Sequence, residues 1–182
     1  MIVKSYIQFI KESSGYEYGC VMVEVPVSNW DEITSSIDSK DIYTESGDST
    51  YGIQSNPHLT LLYPIIGDVK YEKVRDVLQS ILDKEIIIEI DGIDIFENDK
   101  FDVVKFNIKS NDYLNKIHDK LKSKIPNDDK FEIYKPHITI GYTKKGTGEK
   151  YIKKYNHSVK SNQIVYVNSD GLKEYFSINN FV

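Results

Sequence analysis

Two stretches of the sequence repeat each other: residues 57–63 read PHLTLLY and residues 136–142 read PHITIGY. Each contains a His-x-Thr triplet directly after a proline, and the two histidines, His58 and His137, lie 79 positions apart. Proline disfavours the helical conformation in the residue before it, and the β-branched and aliphatic residues that follow are typical of a strand. A repeat within one chain of this size indicates two related lobes.

Strand geometry determines which side chains of each copy share a face. Alternate residues of a strand point to the same side, so we expect His58 and Thr60 on one face and the leucines beside them in a core. The second copy repeats this arrangement. By the same alternation Tyr63 and Tyr142 fall on the core side, so we do not expect them at a site.

The repeated triplet suits phosphodiester chemistry if the two strands lie side by side. One imidazole can accept the proton of an attacking hydroxyl while the other donates a proton to the leaving oxygen. The hydroxyls of Thr60 and Thr139 can donate hydrogen bonds to the non-bridging phosphate oxygens. We therefore take His58, Thr60, His137 and Thr139 as the candidate catalytic residues. A site of this kind requires no metal.

The rest of the chain reads as alternating helices and strands. Apolar periodicity predicts helices over 2–12, 28–37, 70–83 and 111–125, and strands over 19–25, 86–95, 101–108, 163–168 and 172–178. We also expect an amphipathic segment at 1–15, a long loop at 39–56 and a basic loop at 144–160, which holds six lysines and one glutamate.

Composition narrows the class of protein. The 182 residues suit one domain, and the formal charge of −5 argues against a dedicated binder of long nucleic acid. The single cysteine, Cys20, excludes an internal disulfide. No apolar run reaches the ~18 residues of a transmembrane helix, and Lys4 and Gln8 interrupt any signal-peptide core. These features predict a soluble intracellular protein with no membrane association.

The paired His-x-Thr strands, the order of the lobes and the length resemble the 2H phosphoesterase superfamily. In that superfamily two such motifs form a metal-independent phosphodiesterase site. The resemblance implies an α+β, bilobal, LigT-like fold in which two pseudo-symmetric antiparallel-sheet lobes with outer helices flank a central cleft. It implies no cofactor and no metal.

Within the superfamily, the strand at 19–23 (GCVMV), the two repeats, the 96–106 hairpin and the Lys-Gly-Thr-Gly turn at 145–148 are most similar to bacteriophage anti-CBASS phosphodiesterases. That resemblance implies a small cyclic di- or trinucleotide substrate made by bacterial immune cyclases, and a location in the host cytoplasm. His58 and His137 would be the acid–base pair and the two threonines the phosphate clamps, with a ribose 2′-hydroxyl as nucleophile. Which histidine is the base stays open.

Further residues are weaker candidates for substrate binding. Tyr18 precedes the first strand, Lys144 opens the basic stretch, and Glu174 and Tyr175 lie on the last strand. Tyrosine rings stack on bases, carboxylates accept hydrogen bonds from base edges, and lysines attract phosphates. Tyr43 and Tyr51 in the long loop are further stacking candidates, whereas His118 and His157 lie outside any motif and are predicted to be surface residues.

Two other functions remain compatible with the sequence. One is an RNA-processing member of the same superfamily that opens 2′,3′-cyclic phosphates or trims RNA ends. The other is a sponge that binds nucleotides without cleaving them, although intact His and Thr in both copies favour catalysis. The preferred bases, the ring size and the oligomeric state are not predicted.

Overall fold

The computed structural model describes residues 18–46 and 51–177. The predicted amphipathic segment at 1–15, with its helix at 2–12, lies outside the described residues. The elements in chain order are β1 (Gly19–Glu24), α1 (Trp30–Ser35), β2 (His58–Ile65), α2 (Tyr71–Gln79), β3 (Ile86–Glu97), β4 (Phe101–Ile108), α3 (Asp112–Lys124), β5 (His137–Lys144), β6 (Lys153–Ser161), β7 (Gln163–Val167) and β8 (Lys173–Ser177). Two short 3₁₀ helices span Ser39–Asp41 and Gly148–Tyr151.

The strands form two antiparallel sheets of four. The first sheet has the order β2-β1-β7-β8 and the second has the order β5-β4-β3-β6. The two motif strands, β2 and β5, are each the edge strand of one sheet, and they contact each other. This arrangement confirms the predicted bilobal α+β fold with two related antiparallel lobes.

The hairpins form where the sequence predicts them. Strands β3 and β4 pair from Glu97, opposite Asp102, to Ile90, opposite Ile108. Strands β7 and β8 pair across a turn that begins at Asn168. The Asn168 side chain accepts hydrogen bonds from two backbone N–H groups of that turn. Gly171 takes a positive φ of 80° there, a conformation that glycine adopts without a steric penalty.

The helices pack across the two lobes. Helix α3 is capped by Asn111, whose side chain accepts a hydrogen bond from the N–H of Leu114. Although it follows β4 of the second sheet, α3 packs against β2 of the first. Conversely, α1 follows β1 of the first sheet and packs against β5 of the second. One continuous apolar core therefore joins both sheets and all three helices.

The basic segment at 144–160 is not a single loop, so that prediction is wrong. It contains the 3₁₀ helix Gly148–Tyr151 and all but the last residue of β6, which pairs with β3. Strand β6 is an edge strand, and most of its side chains are exposed. Lysines are common on such edges because they discourage pairing with other chains. Their presence hid the strand periodicity of the segment.

A β-bulge follows the threonine in both motif strands. In β2, Thr60 is opposite Met22 and Leu62 is opposite Val21, so Leu61 has no partner of its own. In β5 the register likewise skips Ile140. A bulge shifts the alternation of a strand by one residue, so the residues after it change faces.

The bulges make the core-side prediction for Tyr63 and Tyr142 wrong. Tyr63 packs with Cys20 and Met22, and Tyr142 packs with Phe101. Both groups lie apart from the main core. The two tyrosines therefore lie on the same face as the histidine and threonine of their own strand.

The described parts of the long segment, residues 39–46 and 51–56, lie along the open edge of β5. The backbone of Tyr142 forms two hydrogen bonds with this segment, each of 2.9 Å. Its carbonyl accepts from the Tyr43 N–H, and its N–H donates to the Gly52 carbonyl. Gly141 permits this close approach. A Cβ atom added at Gly141 would lie 2.8 Å from Ile53 Cδ1 and 3.1 Å from the Gly52 oxygen.

We predict that Gly141→Ala lowers the free energy of unfolding by about 1–3 kcal/mol, as is usual for overpacking. Urea unfolding monitored by circular dichroism measures this change. The double variant Gly141→Ala/Ile53→Ala relieves part of the clash, so alanine at position 141 should cost less stability in the Ile53→Ala background. An equal cost in both backgrounds would contradict this account of the contact.

Candidate active site

The candidate site lies where β2 and β5 meet. His58 and His137 are the first residues of these strands. Both imidazoles are half-buried, while Thr60 and Thr139 are buried. The two histidines are close enough that the charge of His58 contributes to lowering the pKa of His137. The structure thus brings the two predicted pairs together across the boundary between the sheets.

The two imidazoles are held in the same way. His58 Nδ1 lies 3.0 Å from the carbonyl oxygen of Asn56, and His137 Nδ1 lies 2.9 Å from that of Lys135. A carbonyl oxygen only accepts, so each Nδ1 carries the proton and donates it. Each acceptor belongs to the residue before the motif proline, which is biased towards extended backbone. Nε2 is then the basic nitrogen of both rings.

Both histidines are biased towards the neutral state. Burial is the largest cause for each: it lowers the pKa of His137 to about 4 and holds the pKa of His58 below its ordinary value. The backbone carbonyls act in the opposite direction. The charge of Lys105 further lowers the pKa of His137. The charge of Lys173 lowers the pKa of His58, whereas that of Glu24 raises it. Either ring therefore binds a proton more weakly than an exposed histidine does.

The threonines differ in their surroundings. Thr60 Oγ1 lies 4.0 Å from the Cys20 sulfur, and burial raises the pKa of that thiol. The Thr139 hydroxyl makes no hydrogen bond of good geometry with the described residues. It lies close enough to Tyr142 to lower the pKa of that phenol slightly, against the larger effect of burial, which raises it. Both hydroxyls belong to the face that carries the histidines.

An aromatic group continues this face beyond Thr139. The rings of Tyr43, Tyr51, Phe101 and Tyr142 lie 5.0–5.7 Å apart in edge-on or tilted pairs. The predicted stacking candidates Tyr43 and Tyr51 therefore lie on the motif sheet, placed there by the long segment. Phe96 on β3 presents an edge contact to His137, with the ring centroids 4.9 Å apart.

The other predicted binding residues are scattered. Tyr18 packs edge-on against Tyr63 at 6.3 Å. Tyr175 is opposite Val165, which belongs to the Cys20 and Met22 group, so it lies on the histidine face and is half exposed. Glu174 is opposite Tyr166 and lies on the other face of the sheet. The side chains of Glu174 and Tyr175 therefore lie on opposite faces of the sheet.

Lys144 lies at the far end of β5, and its ammonium donates to the Lys40 carbonyl at 2.6 Å. Much of the basic stretch is paired with carboxylates. Lys145 lies 3.0 Å from Glu97 and 3.4 Å from Asp102, and Lys150 pairs with Asp41. These ion pairs reduce the positive charge that the lysines of the stretch offer to a phosphate.

His118 is buried, so its prediction as a surface residue is wrong. Its Nδ1 donates to the Leu61 carbonyl at 2.8 Å, its Nε2 lies 3.6 Å from Asp129, and its ring stacks on Tyr134 at 4.3 Å. The Tyr134 hydroxyl donates to the Thr60 carbonyl at 2.6 Å. This pair supports the backbone of β2 from behind the site. His157 is exposed, as predicted.

Sequence reasoning missed Lys105 and Lys173, the cations that act on the two imidazoles. Lys105 had a recognisable signal, since it is a charge set between apolar residues, Val104 and Phe106, within β4. Among residues 18–46 and 51–177, no cluster of three His, Cys, Asp or Glu side chains could hold a metal ion. No helix in these ranges is long and apolar enough to span a membrane.

The low pKa of His137 predicts a specific dependence of stability on pH. Between about pH 6.5 and pH 4 the unfolded chain binds a proton at this position and the folded chain does not, so stability falls as the pH is lowered through this range. One such group contributes at most about 1.4 kcal/mol per pH unit. We expect His137→Gln to lose less stability than the unsubstituted protein between pH 7 and pH 4.5.

Chemical unfolding at several pH values measures this difference. His157→Gln is the matched control, because that side chain is exposed on β6. If the free energy of unfolding of His137→Gln changes with pH as steeply as that of the unsubstituted protein, His137 is not held neutral by the fold.

Comparison with solved structures shows the same fold in proteins of low sequence identity. Usb1 of Kluyveromyces marxianus matches with a TM-score of 0.62 at 8% identity, over 89% of this chain and 98% of that one. A protein of Thermus thermophilus matches with a TM-score of 0.59 at 16% identity, over 88% of this chain and 97% of that one. Escherichia coli LigT complexed with 3′-AMP matches with a TM-score of 0.54 at 16% identity, over 90% of this chain and 95% of that one.

No curated protein sequence matches this chain. The model of the 2′-5′ RNA ligase superfamily does match, and it covers residues 25–164, which include both His-x-Thr strands. The fold with its two edge-to-edge motif strands agrees with that match. The chain therefore belongs to the 2′-5′ RNA ligase superfamily, the 2H phosphoesterases, a superfamily that points to a phosphodiesterase.

Proposed function

We propose that this protein is a metal-independent phosphodiesterase that cleaves the 3′–5′ bonds of cyclic di- and trinucleotide immune messengers, allowing a phage to evade CBASS defence in the host cytoplasm. The observation that carries the phosphodiesterase part is the matched pair of imidazoles. Each is oriented by one backbone carbonyl so that Nε2 is the basic nitrogen, and each has a threonine two residues later on its strand.

The proposed reaction uses these four side chains. One histidine Nε2 accepts the proton of a ribose 2′-hydroxyl, whose oxygen attacks the adjacent phosphorus. The bond between phosphorus and the 5′-oxygen breaks, and the other histidine donates a proton to that oxygen. Thr60 and Thr139 donate hydrogen bonds to the non-bridging oxygens. The products are a 2′,3′-cyclic phosphate and a 5′-hydroxyl, so the proton count of the two histidines is conserved overall.

A bound substrate is expected to offset the low proton affinity of the two histidines. A phosphodiester carries one negative charge, which favours the protonated form of an imidazole beside it. Binding of the substrate would thus raise the pKa of the histidine that acts as the acid. The neutral state of the other histidine suits a base. A site with low pKa values in the free protein is therefore compatible with acid–base catalysis near neutral pH.

Small nucleotides are the ligand class seen in solved structures of this fold. One structure holds Kluyveromyces marxianus Usb1 with uridine monophosphate, and another holds Escherichia coli LigT with NADP⁺. In the present chain, the face beside Thr139 continues into the aromatic group, in which Phe101 and Tyr142 are buried and Tyr43 and Tyr51 are partly exposed. Aromatic faces bind bases with little sequence preference. This surface supports a substrate with more than one base.

An RNA-processing enzyme that opens 2′,3′-cyclic phosphates is the alternative within the superfamily. Usb1 and LigT share the fold at 8–16% identity, which is too distant to transfer their substrates. The cyclic messenger is favoured by the similarity of the motif strands and the 96–106 hairpin to the anti-CBASS enzymes. A sponge without catalysis is a third alternative, which the orientation of both imidazoles disfavours.

One experiment separates the three functions. The protein is incubated with 3′,3′-cGAMP, a cyclic trinucleotide and an RNA with a 2′,3′-cyclic end, in EDTA, and the products are resolved by chromatography. We expect cleavage of the cyclic messengers in EDTA and at least a hundredfold loss of rate in His58→Ala and in His137→Ala, the usual range for acid–base groups. The control His157→Ala should keep full activity.

Each alternative has its own signature in that experiment. Cleavage of the RNA end alone would assign RNA processing, and messenger bound but recovered intact after denaturation would assign a sponge. A strict requirement for a divalent metal would contradict the mechanism.

The identity of the nucleophile gives a separate prediction. A cyclic dinucleotide that lacks both 2′-hydroxyls has no attacking group, so we expect it to bind but to resist cleavage. Competition against 3′,3′-cGAMP measures its binding, and chromatography measures its stability. Cleavage of the deoxy analogue at a comparable rate would show that water, rather than the ribose, attacks the phosphorus.

A further inference from the structure

A buried cation lies next to one threonine of the site. Lys105 on β4 is directly opposite Thr139 on β5, and on its other side it is opposite Asp94 on β3. Residues directly opposite in antiparallel strands have their side chains on the same face, with Cβ atoms about 5 Å apart. The Lys105 side chain therefore leaves the sheet on the face that carries His137 and Thr139.

Burial of this lysine requires an explanation. Only 3% of Lys105 is exposed, and lysines are rarely buried this fully unless they are paired. Its ammonium donates to the side-chain oxygen of Asn107 and lies 4.2 Å from the centre of the Phe96 ring. The Asp94 carboxylate is 3.8 Å away, beyond direct hydrogen-bond distance, and 46% of that side chain is exposed. Asp94 therefore neutralises the buried charge only in part.

The charge acts on the reacting groups. Lys105 lowers the pKa of His137, an effect second to that of burial among the causes that lower it. Phe96 links the two side chains, since its ring lies under the ammonium and is perpendicular to the His137 imidazole, which it contacts. Burial lowers the pKa of Lys105 itself, and Asp94 raises it. An incompletely neutralised ammonium thus lies beside the histidine.

A polar group beside Lys105 also lacks a well-formed interaction. The Thr139 hydroxyl is only 5% exposed, and its contact with the Tyr142 hydroxyl does not reach hydrogen-bond geometry; no other described residue bonds to it. A buried hydroxyl without such a bond costs free energy. An anion above this part of the sheet would accept a hydrogen bond from Thr139 and interact favourably with the ammonium at the same time. Two independent features of neighbouring strands therefore fit one bound anion.

We propose that Lys105 is a further catalytic residue, whose ammonium contacts a non-bridging oxygen of the scissile phosphodiester beside Thr139 and stabilises the charge that develops there. The proposal rests on the proposed phosphodiesterase function. Lys105 keeps its protons throughout, while the 2′-oxygen bonds to phosphorus, the 5′-oxygen leaves, one histidine accepts a proton and the other donates one. Its contribution is electrostatic, in a site from which water is partly excluded.

The test compares Lys105→Met, which removes the charge and keeps much of the volume, with Lys160→Met, an exposed lysine on β6 that pairs with Glu85. Removing one preorganised charge donor costs about 100- to 1000-fold in kcat. We expect a loss of that size in Lys105→Met, with an unchanged circular dichroism spectrum, and full activity in Lys160→Met. A kcat within twofold of the unsubstituted protein for Lys105→Met would overturn the proposal.

Asp94→Asn separates catalysis from a structural ion pair. This change removes the carboxylate and leaves the ammonium in place, so we expect at most a fewfold change in kcat. If Lys105 served only to pair with Asp94, Asp94→Asn and Lys105→Met would reduce the rate equally, and that result would also overturn the proposal.

Sulfur substitution provides a readout that a structural role would not change. The two diastereomers of a cyclic dinucleotide phosphorothioate place sulfur at one or the other non-bridging position. If Lys105 contacts one of these atoms, the ratio of the two cleavage rates should change by about tenfold in Lys105→Met. An unchanged ratio would count against the contact.

Failure of the proposed function is distinguishable from failure of this inference. If the unsubstituted protein cleaves none of the three nucleotide substrates, the proposed function is wrong, and inorganic phosphate then serves as the probe. We expect phosphate to raise the Tm of the unsubstituted protein and of Lys160→Met but not that of Lys105→Met. An equal shift in all three proteins would overturn the role of Lys105 in binding the anion.

Discussion

The site depends on the burial of one face of each motif strand. Leu59 in β2 and Ile138 in β5 are fully buried, and burial of such a side chain contributes about 2 kcal/mol relative to exposure. A slip of one residue in either strand would exchange the aliphatic face for the face with histidine and threonine. The hydrophobic effect therefore determines where the polar side chains lie, and hydrogen bonds to the backbone only refine their orientation.

Local pattern was sufficient to predict much of the fold and the centre of the site. The repeat around His58 and His137, the two hairpins and the helical stripe of α3 are all properties of contiguous residues, and the structure has them in the predicted places. The bulges were not predictable in this way. An extra residue in a strand is defined by its pairing with a distant strand, so strict alternation placed Tyr63 and Tyr142 on the wrong face.

The remaining errors also come from contacts between distant parts of the chain. His118 lies four residues after Leu114, on the apolar stripe of α3, but only the packing of α3 on β2 supplies its partners at Leu61 and Asp129. The sequence of β4 gives no reason for a lysine at position 105, since its neighbours in that strand are apolar. The position of Lys105 beside the motif follows from the register that sets it between Asp94 and Thr139. The roles of these residues depend on which strands are neighbours.

The order of the strands has a consequence for biosynthesis. The second sheet is built from β3 to β6, one uninterrupted part of the chain, whereas β1 in the first sheet lies between β2 and β7. A nascent chain emerging from the ribosome can complete the second sheet before β7 exists. Until β7 is synthesised, one edge of β1 is unpaired, and such edges promote association with other chains. The first sheet, with His58 at its edge, is completed last.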